Sequence, residues 1–118
     1  MREILFRGKP LINPKLDFVY GSLSIFKDCY SIKENKEFAI PTPINSETLG
    51  QFTGIKDKNG IKIFEGDIII NTSKNSLSNK PHIVEFKPIG GYIYLEPERE
   101  PLVIGNIYDN PEEYKTEV

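Results

Sequence analysis

One run of twenty-one residues constrains this chain more than any other: Gly50-Gln51-Phe52-Thr53-Gly54-Ile55-Lys56-Asp57-Lys58-Asn59-Gly60-Ile61-Lys62-Ile63-Phe64-Glu65-Gly66-Asp67-Ile68-Ile69-Ile70. It alternates extended stretches with turn residues. Gly54 closes a short extended piece that starts at Gly50. Asp57-Lys58-Asn59-Gly60 is the strongest turn signal in the chain. Asn59-Gly60 tolerates positive φ, which a type I′ turn, or a type I turn with a G1 bulge, requires. Ile61 and Ile63 then alternate with Lys62. Gly66 removes a side chain at the next bend, and the Asp67 carboxylate can accept a backbone N–H and hold the start of the following strand. Ile68-Ile69-Ile70 is a β-branched run suited to a strand buried on both faces.

The rest of the chain repeats this grammar, and helical periodicity is nearly absent. Ile4-Leu5-Phe6 reads as a first strand ended by Gly8-Lys9-Pro10. Phe18 to Phe26 and Cys29 to Ile32 form an early hairpin around Lys27-Asp28, with Leu23 and Ile25 on one face. Pro41-Thr42-Pro43 forbids a central strand, because neither proline can donate to a ladder. Ser46 is placed to cap one helical turn before Gly50. Asn71 to Pro81 reads as a polar, mobile loop. His82 to Phe86, Tyr92 to Leu95 and Leu102 to Tyr108 read as strands, and Gly105 inside the last one signals a bulge or a close backbone approach. Asn110-Pro111 is a helix-start signature. The expectation is a mainly β domain over residues 1–118 with little helix.

Much chemistry is excluded by what the chain lacks. His82 is the only histidine and Cys29 the only cysteine, so one chain cannot assemble a zinc set, and no cofactor is expected. Cys29, in an alternating segment, reads as a half-buried packing thiol. The aspartates sit at turns and strand edges, where they serve the backbone. The glycine-bounded lysines lack the helix and the Gly-Lys-Ser/Thr ending of a phosphate loop. Phe52, Phe64, Phe86, Tyr92, Tyr94 and Tyr108 read mainly as core in a chain without tryptophan. A formal net charge of −2 argues against a constitutive nucleic-acid binder. No apolar run is long enough to span a bilayer, and the start lacks a signal-peptide core. A cytoplasmic protein, not an enzyme, is expected.

Three blocks resemble a known family. Gln51 to Gly60, Ile63 to Ile68 and Val103 to Glu112 look like the signature blocks of the YopX family, small proteins of bacteriophages and prophages. Met1 to Lys9 and Tyr20 to Leu23 fit the same pattern. The resemblance implies a mainly β fold with a small SH3-like barrel, to which the N-terminal β-hairpin is additional. It also implies homo-oligomers, and it carries no catalytic residue. The expected function is a non-enzymatic protein-interaction module that self-associates or binds a host or phage protein. Lys56, Lys58 and Lys62 are the candidate partner-binding residues, with the Asn71–Pro81 loop and the Glu34–Pro43 segment as further contact surfaces. The alternative is a nucleic-acid-binding β-barrel that uses the same lysines and Arg7. Gly54, Asn59, Gly60, Gly66, Asp67 and Gly105 are assigned to architecture.

Overall fold

A computed structural model describes residues 3–74, 80–92 and 95–111. Contacts divide the chain into two compact units, Met1–Phe52 and Thr53–Val118.

The first unit is built from β1 (Phe6–Gly8), β2 (Val19–Phe26), β3 (Cys29–Lys33), β4 (Thr42–Pro43) and the start of β5 (Gly50–Lys56). All of its pairings are antiparallel. β1 pairs with β2 (Arg7 opposite Tyr20), β2 with β3 (Leu23 opposite Ile32), and β3 with β4 (Ile32 opposite Thr42). Pro10, just beyond β1, bridges Ile44, just beyond β4. The four strands therefore close a ring of pairings, with Ile32 and Ile44 buried. Each such side chain contributes roughly 1.5–3 kcal/mol by leaving water. The ring is tightest at Gly21, where a Cβ would overlap the Lys33 carbonyl oxygen. β1 also pairs with β5, Arg7 opposite Gly50.

Three expectations for this unit are corrected. The first strand is Phe6–Gly8 rather than Ile4–Phe6. Pairing runs on through Lys9, whose carbonyl accepts the Asn45 N–H at 2.9 Å, because Gly8 has no side chain to collide with Ile44. The single helical turn is a 3-10 turn, Ser46–Thr48, and its cap is Asn45, whose side chain accepts from the Glu47 N–H. Cys29 is exposed rather than half-buried, because it faces outward opposite Phe26 at the hairpin tip.

The second unit holds the end of β5, then β6 (Lys62–Phe64), β7 (Asp67–Asn71), β8 (His82–Ile83), β9 (Phe86–Lys87), β10 (Gly91–Tyr92) and β11 (Pro101–Asn106). β7 is the middle strand of an antiparallel sheet ordered β11-β7-β8, and β9 pairs with β10. Ile68 and Ile69, on opposite faces of β7, are both buried, which explains the unbroken apolar run. Ile63, Ile69, Val84 and Leu95 form the core, with Ile55, Tyr92 and Val103 packed against it. The expected strand His82–Phe86 is broken in two. The Val84 N–H and carbonyl are drawn to Asp67 and Gly66, after which Phe86 leaves to pair with Tyr92. The Phe86 and Tyr92 rings meet edge to face at 5.3 Å. Tyr94, residues 75–79 of the expected Asn71–Pro81 loop and the residues after Pro111 lie outside the described residues. The mainly-β class and the N-terminal hairpin are those expected; the SH3-like detail rests on the resemblance alone.

Candidate interaction surface

The segment between β3 and β4 projects apolar groups into solvent. Past Lys33 the chain turns at once: the Lys36 N–H donates to the Glu34 carbonyl at 2.9 Å, and the Ala39 N–H to the Lys36 carbonyl at 3.3 Å. Lys36 Nζ and Glu34 Oε2 form a surface ion pair at 2.8 Å. This pairing holds the Lys36 pKa above its usual 10.5, by hydrogen bond first and by charge second. The turn lifts Phe38 clear of the body, at 91% exposure and with φ of 61°. A bulky residue in the left-handed region is an outlier, and strained outliers of this kind gather at functional sites. Ile40 follows, 83% exposed.

A groove of about 340 Å³ lies on the same unit, lined by Leu11, Ile12, Thr42 and Pro43. Two contacts place its walls. The Leu11 N–H donates to the Pro43 carbonyl at 2.9 Å. Lys9, almost fully buried, donates from Nζ to the Leu16 carbonyl at 3.0 Å and so tethers the loop that carries Leu11 and Ile12. Lys9 Nζ also lies 4.4 Å from the Phe18 ring centroid, and the Arg7 guanidinium 4.1 Å from the same ring. Ile12 is 91% exposed. Leu11, Ile12, Phe38 and Ile40 are all exposed apolar residues of this unit. Pro41 and Pro43 have no N–H to offer a further strand, so this edge is a poor template for β-addition.

The lysine-bearing turn belongs to the second unit. The Gly60 N–H donates to the Asp57 carbonyl at 2.9 Å, and the Asp57 N–H to the Ile61 carbonyl at 2.7 Å. Only Gly60, at φ 83°, is left-handed there, and Asn59 is not, which is a type I turn with a G1 bulge. Pairing of Asp57 with Ile61 sets Lys56 opposite Lys62 across the hairpin. Lys58 is not grouped with them, since its Nζ donates to Thr72 Oγ1 at 3.2 Å. Lys56 and Lys58 are exposed and Lys62 half-buried. Gly54 and Gly66 have φ of 89° and 92°. Asp67 Oδ2 accepts the Phe64 N–H at 2.8 Å. At Gly105 a Cβ would lie 2.6 Å from Asn110 Oδ1, and the register shifts between Val103 and Gly105.

Sequence reasoning did not single out Phe38, Ile40, Leu11 or Ile12 individually. The available signal was apolar residues placed beside prolines (Pro10-Leu11-Ile12-Asn13-Pro14 and Phe38-Ala39-Ile40-Pro41), where no regular ladder can bury them. No group of three or more His, Cys, Asp or Glu side chains able to hold a metal occurs among the described residues. No described helix is long and apolar enough to cross a membrane.

These features define a mainly β chain in two compact units with an apolar projection on the first. The family model described as "YopX protein" matches residues 13–114, nearly the whole chain, and the chain belongs to the YopX family. It is similar in structure to protein EF1440 from Enterococcus faecalis, with a TM-score of 0.57 at 22% identity over 97% of this chain and 99% of that one. That likeness concerns the fold. No curated protein matches the chain.

Proposed function

We propose that this protein is a non-enzymatic interaction module that self-associates through its first unit, with Phe38 of one copy entering the Leu11–Ile12–Thr42–Pro43 groove of another. The observation that carries the reading is Phe38 itself, an aromatic residue 91% exposed on a left-handed backbone at φ 61°. A fold that holds a large apolar side chain in water on strained backbone is costly without a partner, and buried aromatic anchors dominate most interfaces. The groove volume suits one aromatic side chain with its flanking atoms. The family resemblance supports an accessory role in a phage or prophage, within the cytoplasm of a bacterial host.

Sedimentation velocity tests this reading. The wild-type chain is expected to form dimers at micromolar concentration, and Phe38→Ser and Ile12→Ser are expected each to raise the dissociation constant at least tenfold with unchanged far-UV circular dichroism. A wild-type chain that stays monomeric up to about 100 μM would remove the proposal.

A further inference from the structure

Outward-facing backbone groups at three positions of β11 are already hydrogen-bonded, and their partners come from two turns that sequence logic assigns only to local structure. β11 lies at the end of the order β11-β7-β8, so one side of its backbone faces away from β7. An edge of this kind is a template for another strand unless its donors and acceptors are taken.

Three residues of β11 point their polar backbone atoms outward. Pro101 has no N–H, and its carbonyl accepts the Lys58 N–H at 2.9 Å. The Val103 N–H donates to Asp57 Oδ2 at 3.1 Å. The register shift between Val103 and Gly105 changes which residues face outward, so the next is Asn106. Its N–H donates to Asn110 Oδ1 at 3.2 Å, and its carbonyl accepts the Asn110 N–H at 2.8 Å. Gly105 permits this, because a side chain there would occupy the place of Asn110 Oδ1.

We infer that Asp57 and Asn110, with Pro101, act as plugs that keep β11 from pairing with a strand of another molecule. Assembly therefore stays finite instead of growing by edge-to-edge addition along this sheet. The inference does not rest on the Phe38 contact, which lies on the other unit. It also separates two roles within one turn: the Lys56 side chain is exposed on the hairpin, while Asp57 and the Lys58 backbone are spent on the edge.

The test uses the full chain as Asp57→Ala and Asn110→Ala, with wild type alongside. Amide exchange is followed at Val103 and Asn106, and seeded growth by light scattering and thioflavin fluorescence. In wild type both amides are expected to be protected at least a hundredfold over the rates of an unstructured peptide of the same sequence. Each variant is expected to lose protection at its own amide and to grow β-rich assemblies at least tenfold faster. Folded variants with an unprotected amide that assemble no faster than wild type would overturn the inference. So would unprotected Val103 and Asn106 amides in wild type, an outcome readable even if Asp57→Ala fails to fold.

Discussion

Asp57 and Val103, 46 residues apart in sequence, are joined by a hydrogen bond of 3.1 Å from the Val103 N–H to Asp57 Oδ2. The other carboxylate oxygen, Oδ1, accepts from the Asn59 N–H at 2.8 Å and the Ile61 N–H at 2.9 Å. One buried side chain thus shapes its own turn and fixes that turn to the last strand. Asp57→Ala would strand three backbone donors. Its expected cost is about 2–4 kcal/mol in urea denaturation. Asp57→Asn keeps one acceptor oxygen for the turn and loses the bond to Val103, and should cost about half as much; a cost near zero would mean that the Val103 bond contributes little.

Two glycines should respond very differently to alanine. At Gly21 the new methyl meets the Lys33 carbonyl, a backbone atom that cannot swing aside. Gly21→Ala is expected to cost about 3 kcal/mol and to loosen the β2–β3 ladder. Nothing lies within 4 Å of a Cβ at Gly60, so only the left-handed backbone opposes Gly60→Ala, at about 1 kcal/mol. Thermal unfolding of the two variants gives the order, and the reverse order would contradict the ring closure described for the first unit.

Phe38 stores strain that its own replacement should release. An L-residue in the left-handed region is disfavoured by about 1–2 kcal/mol, while glycine returns part of this as chain entropy. Phe38→Gly should therefore stabilise the monomer by about 0.5–1 kcal/mol while weakening self-association. Calorimetry paired with sedimentation reads both signs. A variant that is less stable would show that Phe38 packs for structure.

The ion pair between Lys36 and Glu34 is expected to contribute nothing measurable, being solvent-screened. Its side chains are 69% and 48% exposed. The raised Lys36 pKa fixes the sign of any residual effect: it is complete below the ordinary value of 10.5 and fades as pH climbs through the raised one. Lys36→Ala should leave the urea midpoint at neutral pH unchanged, in low salt as in high; a clear drop in midpoint would assign this pair a structural role.

Local chemistry was legible in the sequence where a residue type admits few conformations. Gly60 could be read as the left-handed corner of its turn, Gly105 as the site of a bulge, and Ile68-Ile69 as a strand covered on both sides. The first strand was displaced because Lys9 and Pro10, which look like terminators, are held in register by Asn45 and Ile44, whose approach no local pattern encodes. The cap at Asn45 was missed in favour of Ser46 because both residues suit the position. Exposure was the least legible property. Phe38 and Ile40 look like core residues by type, and only the geometry of the turn at Lys36 puts them in water. The reach of Asp57 to Val103 was hidden for the same reason, since a turn aspartate announces its near partners and not its distant one.

The chain has six tyrosines and no tryptophan, and the Tyr92 hydroxyl donates to Glu65 Oε2 at 2.8 Å. A carboxylate that accepts a phenol's hydrogen bond quenches its emission, so this ring is expected to emit weakly in the native protein. Ultraviolet emission will brighten when β10 parts from the Glu65 bend, giving the second unit an unlabelled optical signal of its own opening.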